Sequence, residues 1–115
     1  MTLKDRMRRA GPIWNRIASR KDTLVRVKMV AGAAAGPVAC AGVKPGDKLV
    51  AVLHHQAAAA MTDLTAEFGG DAVSVAAGKK GNGTVLTVPD SIDNTGGTST
   101  SGNTVVVIWE AYDER

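Results

Sequence analysis

Two short runs of this chain are apolar at every position: Leu49-Val-Ala-Val-Leu53 and Val105-Val-Val-Ile-Trp109. On a strand, successive side chains point to opposite faces of the sheet. A run that is apolar throughout must therefore be covered on both sides, so each is expected to be a central strand. The second side needs either another sheet or a neighbouring molecule.

The remaining pattern supports a β fold. From Thr23 the chain changes to period two, with Val25, Val27 and Met29 alternating with Arg26 and Lys28, which marks a half-buried strand. Residues 37–42 read as a second, weaker strand. Lys44-Pro-Gly-Asp47 reads as a type II turn, with proline and glycine at the two central positions. Leu64, Ala66 and Phe68 alternate as another strand. Residues 72–76 and 84–88 read as a hairpin pair around Gly78–Gly83, where Asn82-Gly83 favours a tight turn. Ala57–Ala60 fits a helical turn or a loop equally well. Residues 89–103 read as a polar loop. The expectation is a mainly β fold over residues 23–115, a β-sandwich or barrel-like domain of about seven short strands. At 115 residues the chain has room for one domain. Only four residues are aromatic, Trp14, Phe68, Trp109 and Tyr112, so the core rests on Val, Leu, Ile and Ala. A core this thin gains from a partner chain, and a homo-oligomer is expected, a trimer before a dimer.

Little in the sequence points to catalysis. His54 and His55 are adjacent, so on a strand they face opposite ways and cannot hold one metal ion together. Cys40 is a lone cysteine in an apolar run and reads as a small core residue. The carboxylates fall in turns and at strand ends, where solvated acids are expected. Ser91, Ser99 and Ser101 lie in the polar loop without the strand-to-helix turn that a nucleophilic serine needs. Gly78–Gly83 carries glycines and lysines but not the residue order of a phosphate-binding loop. Asn82-Gly83-Thr84 has the form of a glycosylation acceptor, which carries weight only behind a secretory signal. Neither a cofactor nor an enzymatic role is expected. No stretch reaches the roughly 20 apolar residues of a membrane span, and no signal-peptide pattern opens the chain.

Charge is concentrated in the first 22 residues, which hold seven basic and two acidic side chains, whereas residues 23–115 hold seven basic and nine acidic. The segment 1–22 thus reads as a basic arm on a nearly neutral body. Thr2 and Asp5 could cap a short helix over residues 2–10, with Leu3, Met7 and Ala10 on one face. Gly11-Pro12 then breaks it. Beyond the break, Ile13, Trp14 and Ile17 fall together, interleaved with Arg16 and Arg20. Helices this short are marginal alone, so the arm is expected to order only against another surface. Tryptophan and arginine are common anchors of protein interfaces. The partner-binding residues expected on this ground are Arg8, Arg9, Ile13, Trp14, Arg16, Ile17 and Arg20. Nucleic acid is the weaker partner, since the body lacks a basic face and aromatic stacking platforms.

Several of these segments occur in an order that resembles a known family. Gly42-Val-Lys-Pro-Gly-Asp-Lys-Leu-Val-Ala-Val-Leu53 is followed by Leu64-Thr-Ala-Glu-Phe68. Then comes Ile92-Asp-Asn-Thr-Gly-Gly-Thr-Ser-Thr-Ser-Gly-Asn-Thr, running into the last strand. This order, over about residues 24–110, resembles the small virion proteins of tailed bacteriophages that decorate or cement the capsid. The basic arm and Lys79-Lys80 depart from the family pattern. The resemblance implies a non-catalytic protein bound to the major capsid protein on the virion surface and made in the host cytoplasm. A tail- or fibre-associated module using the 89–103 loop, and an accessory nucleic-acid-binding protein using the arm, are the alternatives. Within the Asn94–Gly102 segment, Asn94, Gly96, Gly97 and Gly102 are expected to shape a structured loop.

Overall fold

A computed structural model describes residues 23–112 of the chain. Six strands follow one another: β1 (Thr23–Ala31), β2 (Pro37–Ala39), β3 (Lys48–His55), β4 (Thr62–Asp63), β5 (Ser91–Asp93) and β6 (Thr104–Tyr112). A 3-10 turn (Thr65–Glu67) and a short helix, α1 (Ala72–Ala76), lie between β4 and β5. β1, β6, β3 and β4 form an antiparallel sheet in that spatial order, and β2 and β5 form a separate antiparallel ribbon. The fold is mainly β, with two sheets around one core.

β6 organises the larger sheet. It pairs with β1 from Thr23↔Tyr112 to Ala31↔Thr104, and with β3 from Lys48↔Glu110 to His55↔Thr104. The β3 register shifts between Leu49 and Ala51. This bulge changes which residues face inward. Leu49 opposite Trp109 and Val52 opposite Val107 are buried, whereas Ala51 and Leu53 turn to the other face. The Val50 carbonyl at the bulge accepts a hydrogen bond from the Asn82 side chain at 3.0 Å.

The inner face of this sheet carries Leu49, Val52, Val105, Val107, Trp109 and Ala111. Val38, Cys40, Val43, Leu64, Phe68, Leu86 and Ile92 complete the same core. The small second layer is held to β3 by irregular chain. Leu49 N donates to Thr84 O at 2.9 Å, and Leu86 N donates to Asp47 O at 2.7 Å.

Three expected strand segments take other forms. Residues 64–68 contain a 3-10 turn instead of a strand. Asp63 accepts from both the backbone N–H and the hydroxyl of Thr65, at 2.9 and 2.5 Å. Such a local bond competes with the ladder, and the Thr65 hydroxyl in turn accepts from Val52 N at 3.0 Å. Leu64 and Phe68 are still buried, so their spacing reports the core correctly but not the backbone path. Residues 72–76 form α1 instead of half a hairpin. The Asp71 side chain caps the helix by accepting from Ser74 N at 2.7 Å, and it also accepts from the Thr87 hydroxyl at 2.6 Å. Residues 84–88 form no strand beyond a single bridge between Val85 and Lys48. β5, in turn, lies in a segment read as loop.

The direction of β1 also differs from the sequence reading. Val25, Val27 and Met29 are 67, 63 and 70% exposed. Arg26, Lys28 and Val30 lie on the core side, opposite Trp109, Val107 and Val105. Val30 packs against the core, whereas Arg26 is half-buried and Lys28 exposed, so this row lies at the margin of the core, where long basic side chains suit the boundary. Lys28 Nζ donates to the Ala41 carbonyl at 3.2 Å. On β6, Val105, Val107 and Trp109 are buried, but Val106 and Ile108 are only half-buried, so the expected burial of both faces is met on one.

Two outcomes test this account. Trp109 is 2% exposed and its indole N–H has no hydrogen-bond partner. Trp109→Ala is expected to cost about 3–5 kcal/mol in urea unfolding. Trp109→Phe should cost much less, because it keeps most of the ring and removes the unsatisfied donor. The second concerns acid. The Thr65 hydroxyl holds the Asp63 carboxyl below its ordinary range, and the Thr87 hydroxyl and Ser74 N–H do the same for Asp71. A carboxyl depressed on folding contributes stability above its unfolded pKa and loses it as pH falls through the folded one. The urea midpoint should therefore fall as pH drops below about 4, and Asp71→Asn should make that fall shallower.

Candidate functional site

The outer face of the larger sheet is built from the residues that alternate with the core row. β1 contributes Val25, Val27 and Met29; β6 contributes Val106 and Ile108; β3 contributes Ala51 and Leu53. The register places Val27 opposite Ile108, Met29 opposite Val106, Ala51 opposite Ile108 and Leu53 opposite Val106. The result is a continuous apolar field across three strands. Glu110 and Lys48 lie at one end of it, His55 and Thr104 at the other, and Asp63 beyond Leu53 on β4. Nothing among the described residues covers β1 on this side. Apolar patches with a polar rim recur at interaction surfaces.

The Asn94–Gly102 loop is fixed by specific bonds. Buried Asn94 accepts from Gly36 N through Oδ1 at 3.0 Å and donates through Nδ2 to the Thr98 carbonyl at 2.7 Å. Thr100, fully buried, accepts from Ala33 N at 3.0 Å through its hydroxyl and donates to Ala33 O at 3.2 Å. The Glu67 carboxylate accepts from the backbone and hydroxyl of Thr98 at 2.5 and 3.1 Å. Gly97 has no room for a side chain: a Cβ would meet the Glu67 carboxylate and, at 2.9 Å, the Asn94 carbonyl. Gly96 and Gly102 both have φ of +80°. Beside the loop, Glu67, Lys80 and Thr95–Thr98 line a shallow polar recess.

Other polar groups serve the scaffold. Asp93 accepts from the backbone and hydroxyl of Thr95 at 2.8 and 2.6 Å, and Asp90 accepts from Gly42 N at 2.8 Å. Asp47 accepts from Lys44 N at 2.9 Å. Burial pushes the Cys40 thiol up to about 11, which leaves it protonated and a poor nucleophile near neutral pH. His54 points inward and is buried with Nε2 unpartnered, while His55 is exposed. Among the described residues, no group of three or more His, Cys, Asp and Glu side chains is placed to hold a metal ion. No helix of the described residues is long and apolar enough to cross a membrane.

Of the site residues expected from sequence, Asn94, Gly96, Gly97 and Gly102 belong to this pinned loop. Arg8, Arg9, Ile13, Trp14, Arg16, Ile17 and Arg20 lie outside the described residues. The sequence reading missed Glu67 and Thr100 as anchors of the loop, because neither carries a local signal and both act across long chain separations. It also missed the outer face as a site, although the two-sided apolar runs gave the signal for it.

Asn94→Ala would leave the buried Gly36 N–H and the Thr98 carbonyl without their partner. The expected loss is about 1–3 kcal/mol in urea unfolding, with faster amide exchange at Gly36. Ser99→Ala, at an exposed position in the same loop, should be close to neutral.

Compared with protein-family models, curated proteins and solved structures, the chain matches none.

Proposed function

We propose that this protein is a non-catalytic structural protein that binds and stabilises a tailed-phage capsid. The observation that carries the reading is the apolar face formed by β1, β6 and β3, with Val25, Val27 and Met29 pointing away from the core and exposed among the described residues. Such a face supports attachment to a protein surface. The resemblance of residues 24–110 to decoration proteins supplies the surface, that of the major capsid protein. The commitment of Asp47, Asp63, Asp71, Asp90 and Asp93 to backbone and hydroxyl groups supports a scaffold role for the carboxylates.

The basic segment enters the fold at Thr23, two residues before Val25. In this reading both the face and the segment contact the capsid, and apolar burial supplies most of the attraction at about 25 cal/mol per Å². Arg8, Arg9, Arg16 and Arg20 add orientation and association rate. Many copies on one lattice, associating also with each other as a homo-oligomer, make modest single-site affinity sufficient.

The test is co-sedimentation with undecorated capsids. Val27→Ser combined with Met29→Ser should weaken retention at least about tenfold, or about 1.4 kcal/mol, with little change in melting, because both side chains are exposed. Replacing the four arginines by Ser should weaken retention by an amount that shrinks at high salt. Retention of both variants at the level of the unaltered protein would remove the reading.

A further inference from the structure

We propose that the free edge of β1 is a docking strand for an extended segment of a partner protein in which acidic and apolar residues alternate. The inference concerns the backbone edge of the sheet rather than its apolar face, and it does not rest on the capsid reading.

The register fixes which backbone groups lie on that edge. Gly32 N donates to the Asn103 carbonyl at 2.8 Å, and these two residues are the next pair beyond Ala31↔Thr104. In an antiparallel ladder, bonded pairs alternate with non-bonded ones. Arg26, Lys28 and Val30 therefore turn their N–H and C=O groups toward β6. Val25, Val27 and Met29 turn theirs away, to a side where no strand lies among the described residues. Free N–H and C=O groups at every second residue are a template for an added strand.

The side chains set what that strand must carry. Residues directly opposite one another in a sheet share a face. On the core side, an incoming strand would place two side chains beside Arg26 and Lys28. Arg26 is half-buried, with Nε buried and without a hydrogen-bond partner, and Lys28 Nζ donates to the Ala41 carbonyl at 3.2 Å. Neither cation bonds a carboxylate among the described residues. Asp90, which reaches the chain next to Ala41, accepts from Gly42 N at 2.8 Å. Asp or Glu beside Arg26 would supply the acceptor that Nε lacks. On the outer side, the same strand would extend the row of Val25, Val27 and Met29 with apolar residues. The pattern is apolar, acidic, apolar, acidic, apolar.

The other charges of the sheet lie elsewhere. Glu110 stands opposite Val25 on the outer face and opposite Lys48 on β3. His55 is on β3, and Lys80 lines a recess with Ala51 and Asp63, so these groups are separated from this edge by β6. Charge also disfavours two other occupants. A second β1 paired antiparallel about Val27 would set Arg26 opposite Lys28 of the other copy. The chain's own residues 1–22 hold seven basic and two acidic side chains. Like charges directly opposite are destabilising.

The test adds a blocked heptapeptide, Thr-Val-Glu-Val-Glu-Val-Thr, to the full-length chain and follows backbone amides by NMR. A second peptide carries Lys in place of each Glu. On saturation with the Glu peptide, hydrogen exchange at the Val25, Val27 and Met29 amides should slow at least about tenfold. The Arg26 and Lys28 amides, already bonded to β6, should change little. The Glu peptide should bind at least about tenfold more tightly than the Lys peptide, since two cross-strand pairs change from attraction to repulsion. Arg26→Glu combined with Lys28→Glu should reverse that preference. Should the double variant lose its fold, read from the Val52 and Val107 signals, the two peptides on the unaltered chain decide the matter. Equal affinity for the two peptides would overturn the inference. So would binding of the Glu peptide that leaves the three amides unprotected, by assigning acid recognition to residues 1–22. Slow exchange at these amides already in the free chain would also overturn it, by showing the edge to be occupied. Capsid binding does not enter this measurement, so its failure and that of the capsid reading are separate results.

Discussion

The pairing of β6 with a neighbour on each side is the constraint on which the rest of this fold depends. β6 hydrogen-bonds to β1 along its whole length and to β3 over most of it. It therefore fixes the alternation of both neighbours. Once Val105, Val107 and Trp109 point into the core, the register obliges Arg26, Lys28 and Val30 of β1 to lie on the same side. Val25, Val27 and Met29 must then face outward. A one-residue slip would reverse every face. Slipped by one residue against β6, β1 would turn Val25, Val27 and Met29 to the side of Trp109 and carry Arg26 and Lys28 to the outer face.

The bulge in β3 follows from the same constraint. Without it, Leu49, Ala51 and Leu53 would share one face, and the inner row would hold either those three or Val50 and Val52. The extra residue lets Leu49 and Val52 both point inward, opposite Trp109 and Val107, so the two largest requirements of the inner row are met together. Asn82 offsets the polar cost by donating to the Val50 carbonyl. The second layer then needs only a short ribbon and irregular chain to finish the core, because the inner row is already dense. Its connection to β6 is stiffened by Asn94 and Thr100, which bond to backbone groups of Gly36 and Ala33.

The central strands and the mainly β class were legible in the sequence because β3 and β6 are apolar on both faces, a pattern few other structures can use. The cover expected over both faces of these strands is met on one, the side of Trp109. The helix α1 was not legible, since Ala72–Ala76 alternates like a strand, and its cap depends on Asp71 reaching Ser74. The 3-10 turn was hidden similarly, by a hydrogen bond from Thr65 to Asp63 that overrides alternation. The face assignment of β1 failed because alternation gives the period of a strand but not its direction. That direction is set by β6, about 80 residues later in the chain. The loop glycines were visible as conformational signals, whereas the partner of Gly97, Glu67, lies 30 residues away and could be found only in three dimensions.

The alternation of β1 serves two surfaces at once. As an edge strand it has a backbone side with no strand beside it among the described residues, a template for pairing with other chains. Its outer side chains are apolar, which would make such pairing more favourable. Arg26 and Lys28 occupy the opposite side at alternate positions, and Lys28 is tied to the Ala41 carbonyl across the boundary of the second layer. A strand adding to this edge would have to bring its own side chains against these two cations. Charged residues on edge strands oppose edge-to-edge association in this way. Association through the flat of the sheet would avoid them. A contact there would be made by side chains rather than by backbone ladders, and a contact of that kind can be formed and released without changing the fold.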